Sequence, residues 1–196
     1  VNYRVIDPLT LRITISRGYS TPTMAEIRPT DNKIYEDLQP EKGWNTEAGV
    51  RANLMNGRFV LDASVFRYRL TDGILSRVNE SGDTYFVNAG AIRQIGVEAT
   101  FSWQIKPWDD HSFFRMIRCN AGYTYSGFKY DRYYSATGDF TGNRVAGVPR
   151  HTLVNSLECR FPHSFYLFLQ SNRTGKIPLN DANDEYADPY NLVWVK

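Results

Sequence analysis

From Val97 to Ile105 every second residue is apolar: Val97, Ala99, Phe101, Trp103 and Ile105 alternate with Glu98, Thr100, Ser102 and Gln104. A side-chain period of two describes a β-strand with one oily and one wet face. The same pattern recurs along the chain. Within 58–71, Phe59, Leu61, Ala63 and Val65 oppose Asp62, Ser64 and Tyr68; within 43–55, Ala48, Val50, Ala52 and Leu54 oppose Glu47, Gly49, Arg51 and Asn53. Alternation and turn residues together mark strands at 9–16, 43–55, 58–71, 92–105, 112–126, 148–161, 164–173 and 189–196. The fold these segments predict is all-β and antiparallel.

The joints between the segments carry further information. Asn56-Gly57, the 106–111 stretch around Pro107, and Pro162-His163 are short, and Asn-Gly is a strong signal for a tight hairpin. The connections 17–42, 72–91, 127–147 and 174–188 are long and rich in Gly, Asn, Asp, Thr, Tyr and Arg. Several structureless loops of that length sit badly in a compact soluble domain. They suit an up-and-down transmembrane β-barrel, which joins its strands by tight turns on the periplasmic side and long loops outside. Strands of about 12–14 residues, rising about 3.3 Å each and tilted about 40°, span a band of about 30 Å. The wet face would carry Glu47, Arg51, Asp62, Glu98, Glu158 and Arg160 into a solvent-filled lumen. Trp103, Trp108, Phe113, Phe161 and Phe165 gather at the short turns, where an interfacial aromatic belt would lie.

Composition narrows the classes of function. With 23 Lys and Arg against 21 Asp and Glu, the charge balance gives no support to nucleic-acid binding. No run of 18 apolar residues exists and the mean hydropathy is -0.46, so no transmembrane helix is expected. A barrel wall needs only alternate apolar residues and is untouched by that test. Aromatic residues reach 14%, which favours strands and interfaces. The start, VNYRVIDPLT, has no basic segment leading into an apolar core, so either a signal peptide has been removed or this is not the natural beginning. Cys119 and Cys159 fall on the outward parity of neighbouring strands; a disulfide and a pair of small wall residues both remain open.

Five collinear segments resemble the barrel of TonB-dependent outer-membrane receptors: SRGYSTPTMAEI at 16–27, LQPEKGWNTEAGVRANL at 38–54, RFVLDASVFRYRLTDGI at 58–74, YFVNAGAIRQIGVEATFSW at 85–103 and GVPRHTLVNSLECRF at 147–161. The resemblance implies a 22-stranded barrel closed by an N-terminal plug. Residues 1–196 would be a partial barrel domain, about eight strands from the C-terminal half, without the plug or the motif that recruits TonB. It further implies a bacterial outer-membrane location, with lipid facing Val97, Ala99, Phe101 and Trp103. The implied function is uptake of a scarce ligand, a ferric siderophore or other iron complex, energised by the TonB complex through the missing N-terminal part. No catalytic residue and no cofactor are implied.

An anionic iron chelate calls for guanidinium groups and aromatic hydrogen-bond donors. The long connections offer Arg28, Tyr35, Arg77, Tyr85, Tyr130, Arg132, Tyr133, Tyr134 and Arg144, and the run YDRYY at 130–134 is the densest. A solvated loop tip is the competing reading of that run. His111, His151 and His163 are far apart and match no zinc spacing. The acidic NDANDEYAD stretch at 180–188 lacks the EF-hand pattern and reads as a solvated loop. GxSxG, GxxxxGK, CxxC and HExxH are absent, so no enzyme is expected, although paired glycosidase carboxylates need be close only in space. The alternative to a receptor is a soluble all-β ligand- or carbohydrate-binding module, in which the face of Val97, Phe101 and Trp103 must pack on a second sheet.

Overall fold

A computed structural model describes residues 1–31, 33–106, 112–135 and 138–196, and all of these but the side chain of Ala89. The strands are β1 (Asn2–Ile6), β2 (Leu9–Ser20), β3 (Glu41–Leu54), β4 (Phe59–Val78), β5 (Thr84–Ile105), β6 (Met116–Ser126), β7 (Lys129–Ser135), β8 (Gly138–Asp139), β9 (His151–Arg160), β10 (Tyr166–Thr174), β11 (Ile177–Pro178), β12 (Tyr186–Ala187) and β13 (Tyr190–Val195). One short helix, α1 (Met24–Ile27), interrupts the connection from β2 to β3 behind a capping box of Thr23 and Glu26. A 3-10 turn at Pro162–Ser164 joins β9 to β10.

Nine strands pair antiparallel in the order β1-β2-β3-β4-β5-β6-β9-β10-β13, with β7 attached to the outer half of β5 and β8 paired in turn with β7. The sheet is open: its edges β1 and β13 do not meet. This is the all-β meander of a barrel wall. All eight expected strands are present, and the Asn2–Ile6 strand, which pairs with β2, is an addition.

Register sorts side chains into two faces. Ile13, Ala48, Val65 and Val97 stand in one cross-strand row, and Leu9, Ala52, Leu61, Phe101 and Ala121 in another. These rows form one apolar face. The opposite face is polar and bonded to itself. Arg12 donates to Glu47 at 3.2 Å and to Asp62 at 2.7 Å, Arg118 reaches Glu158 at 3.5 Å, and Ser102, Asn120 and Ser156 form a chain of hydrogen bonds across three strands. Glu98 is exposed there. No second sheet covers the apolar face among the described residues; the remaining β11-β12 pair is two residues long in each strand. Val65, 54% exposed, and Ile13, 55% exposed, are therefore bare among the described residues.

Several boundaries differ from expectation. The 72–91 stretch is mostly strand, because β4 and β5 continue as a paired hairpin to Val78 and Thr84 and leave only 79–83 as the tip. Bulges at Leu70/Gly73 and Gly73/Ile74 break the period of two there, which hides the continuation in the sequence. A strand also runs through 127–147: β6 pairs with β5 from Ile105 to Gly96, and β7 resumes on the same edge at Arg93 after an interruption at Gly127-Phe128. The Asn56-Gly57 hairpin is wider than two residues, since the last pair is Leu54 with Phe59 and Met55, Asn56 and Gly57 all have positive φ. Cys119 and Cys159 are both free, on diagonal positions of β6 and β9. The rings of Phe113, Phe114 and Phe161 form a triangle beside the short turn, with centres 5.0–5.3 Å apart, while Trp108 and His111 lie outside the described residues.

Candidate functional site

The long strands β4, β5 and β7 project beyond the apolar band and bring distant parts of the chain together at the long-loop end. Tyr130 stands opposite Ile92, on the parity of Gln94 and hence on the polar face. Its hydroxyl donates to Asp181 Oδ1 at 2.6 Å, and the Tyr133 hydroxyl donates to Asp181 Oδ2 at 2.9 Å. One carboxylate from the connection between β11 and β12 thus accepts from two phenols of β7. The rings lie 4.5 Å apart, and Phe140 packs 5.7 Å from Tyr133.

Arg77, near the tip of β4, closes the other side. Its Nη1 donates to the Tyr133 hydroxyl at 2.8 Å, its Nη2 donates to the Tyr134 carbonyl at 3.1 Å, and the guanidinium lies 4.9 Å from the Tyr133 ring centre. Asn143 donates to the Asp181 carbonyl at 2.9 Å, while Arg144 N donates to Asn183 Oδ1 at 2.7 Å and Asn183 Nδ2 donates back to Arg144 O at 2.9 Å. Segments from three separate connections are tied into one knot. Tyr130 at 7% exposure and Tyr133 at 5% are the most buried aromatic residues among the described residues.

Burial shapes the acid-base chemistry of the knot. Desolvation, followed by the bond to Asp181, raises Tyr130 well above the ordinary phenol range. Tyr133 is raised too, by desolvation, with Arg77 pulling it down and Asp181 pushing it up. Burial, then the nearby Arg150, lowers Arg144. The phenols accordingly stay protonated and donating at any physiological pH.

A second, smaller cluster lies beside it. Tyr35 and Tyr85 stack with ring centres 6.1 Å apart, and the Tyr35 hydroxyl donates to Asp31. That bond raises Tyr35 to about 12 and lowers Asp31. Thr30 exchanges hydrogen bonds with the backbone of Thr84, which fixes the connection after α1 on β5.

Of the residues singled out in the sequence, Arg77, Tyr130, Tyr133 and the backbone of Tyr134 meet in the knot, Arg144 borders it through its main chain, and Tyr35 and Tyr85 meet each other. Arg28, Arg132 and the Tyr134 side chain are exposed. Asp181, Asn143 and Asn183 are the organising residues that sequence reasoning missed. The signal was present: an acidic residue within NDANDEYAD is the natural acceptor for a Tyr-rich strand, but only the fold sets the two side by side. Among the described residues no group of three His, Cys, Asp or Glu side chains is placed to hold a metal ion.

The same architecture occurs in solved structures. The ferric preacinetobactin receptor BauA of Acinetobacter baumannii superposes with a TM-score of 0.68 at 20% identity over 99% of this chain and 27% of that one. The ferric enterobactin receptor PfeA of Pseudomonas aeruginosa gives 0.71 at 18% identity over 98% of this chain and 31% of that one. The copper transporter OprC gives 0.72 at 14% identity, over 98% of this chain and 29% of that one. At such identities the likeness is one of fold, and the chain spans between a quarter and a third of each of these proteins. Residues 1–193 match the family model described as TonB dependent receptor-like, beta-barrel, and the chain belongs to that family.

Proposed function

We propose that this chain is a partial barrel domain of an outer-membrane receptor that takes up an iron complex, a ferric siderophore above all, energised by the TonB complex in the intact protein. The observation that carries this reading is the bare two-faced sheet: an apolar face with nothing packed on it and a polar face laced by ion pairs. Lipid is the occupant that the first face wants and water the occupant of the second. Val97, Ala99, Phe101 and Trp103 then face lipid. Transport of this kind makes and breaks no covalent bond, so the residues have binding and positioning roles and none is catalytic.

The knot works in this reading as a brace. Its phenols and guanidinium already satisfy one another, so they hold the outer connections in place, while exposed Arg132, Tyr134 and Arg28 are left to contact the ligand. Guanidinium groups suit anionic chelates through charge-assisted hydrogen bonds. Two of the structural neighbours are receptors for ferric chelates and a third transports copper, which supports uptake of a metal complex and favours iron.

The test is direct binding of radiolabelled ferric catecholate and hydroxamate chelates to the full-length receptor, together with uptake in cells with and without TonB. TonB-dependent uptake of one chelate class is expected, and replacing Arg132 and Tyr134 together should weaken it while the barrel still assembles. Absence of binding to any ferric chelate, or uptake indifferent to TonB, would reject the proposal.

A further inference from the structure

The apolar face ends differently at its two rims. At the tight-turn rim it finishes in Leu54, Phe59 and Trp103, which share a cross-strand row. At the long-loop rim the row is Arg17, Trp44, Arg69 and Arg93 across β2, β3, β4 and β5, with Arg67 two residues nearer the apolar band on β4. Arg17 follows Leu11, Ile13 and Ile15 on its face, Arg67 follows Ala63 and Val65, and Arg93 follows Val97 and Ile95. The change from hydrocarbon to cation is abrupt on three strands.

These charges exceed the carboxylates that answer them. Asp131 is shared between Arg69 at 3.6 Å and Arg93 at 3.3 Å. Lys42, two residues further out on β3, is paired with Asp72 at 3.4 Å. Among the described residues no carboxylate contacts Arg17 or Arg67; Arg17 lies 5.4 Å from the centre of the Trp44 ring, and Trp44 is itself 52% exposed. Like charges side by side on one sheet face destabilise it unless an anion intervenes. A row of guanidinium groups is well matched to phosphate, which it can hold by paired N–H donors.

We infer that this rim is a binding site for lipid phosphate: the phosphorylated head group of an outer-leaflet lipid sits against Arg17, Arg67, Arg69 and Arg93 while its chains lie on Ile15, Val65 and Ile95. Continuity with the apolar band distinguishes a lipid from free phosphate, since the anion site opens directly onto hydrocarbon-matching surface. Trp44 stands at the depth where an indole spans the boundary of head group and chain. The inference rests on the membrane-wall reading above and adds a ligand on the outside of the barrel, away from the knot.

The experiment uses the full-length receptor in nanodiscs of phosphatidylcholine with a minor fraction of phosphatidic acid, a phosphomonoester lipid. The lipid retained after extraction into neutral detergent is quantified per receptor. The native protein should retain phosphatidic acid well above its share of the mixture. Replacing two arginines in R17Q/R67Q, which disturbs no ion pair, should reduce that excess by about fivefold or more, given the usual contribution of one basic residue to anionic-lipid attraction. R17K/R67K should keep most of it. Heat-modifiable migration on gels verifies that each variant is folded, and R67Q alone serves if the double variant does not assemble. Retention of the starting lipid ratio by native protein, an undiminished excess in R17Q/R67Q or R67Q, or complete displacement by inorganic phosphate would each overturn the inference. Ferric-chelate binding measured on the same preparations reports separately on the receptor proposal.

Discussion

Phe66 and Gly96 face each other across β4 and β5 on the polar side, and the ring of Phe66 occupies the space where a Cβ at position 96 would sit. The Tyr125 carbonyl, 2.8 Å from that same point, closes the other exit. Gly96→Val should therefore destabilise the sheet by about 1–3 kcal/mol through overpacking, whereas Gly122→Ala, whose nearest neighbour is the Val154 carbonyl at 4.0 Å, should be close to neutral. Urea unfolding of the full-length barrel distinguishes the two, and Phe66→Leu should partly rescue Gly96→Val. The knot makes a second residue-level prediction, with a sign set by its raised phenols. A raised folded-state pKa means stability that is complete below the ordinary tyrosine value of 10.0 and lost as pH rises beyond it toward the folded value. Phenolate absorbance should show Tyr130 and Tyr133 ionising above the ordinary tyrosine value of 10.0, and Asp181→Asn should bring both closer to it. Identical titration of native and Asp181→Asn protein would show that the knot does not exist in solution.

At the scale of elements, β4 and β5 form a hairpin of 20 and 22 residues, about twice the 9–11 residues that cross a bilayer. Its outer half is held by ladder pairs such as Arg77 with Tyr85 and Ser76 with Phe86. Amide exchange of the full-length protein should consequently be slow at 74–78 and 84–88 and faster at 79–83, because ladder amides open only with the hairpin whereas the tip amides are held by a local turn around Asn79. Uniformly fast exchange across 72–91 would restore the loop reading. The membrane-length halves were legible in the sequence because alternation of Phe59, Leu61, Ala63 and Val65 against Asp62 and Ser64 survives wherever one face must stay apolar. Beyond Leu70 neither face meets that demand, and with the bulges at Gly73 the period dissolves, so sequence alone returns a loop. The same limit applies to the knot: YDRYY and NDANDEYAD stand out as unusual composition, but about 50 residues separate Tyr130 from Asp181, and only the pairing of β6, β9, β10 and β13 brings them together. Arg28 and Arg132 passed the sequence filter as readily as Arg77, since a cation looks the same in sequence whether it is braced or free.

At the scale of the whole chain, the described residues form one main sheet with nothing packed on its apolar face, so its stability depends on what touches each face. Ala63, flanked by Val50 and Ala99 in the middle of the apolar face, and Thr100, opposite Asp62 on the other, offer a controlled comparison. In a lipid-facing wall, Ala63→Arg should cost about 2–4 kcal/mol, because a guanidinium at bilayer depth loses its water. Thr100→Arg should cost less than about 1 kcal/mol, since its head can stay in lumen water and approach Asp62. A soluble module would also resist an arginine in place of Ala63, so the substitution alone does not separate the two architectures; the solvent does. Unfolding of both variants of the full-length protein in liposomes, alongside detergent phase partitioning of the native protein, completes the test. A membrane wall requires recovery in the detergent phase and a face-dependent penalty. Recovery in the aqueous phase without detergent would mean that another protein surface covers Ile13, Val65 and Val97, and the receptor reading would fall with it.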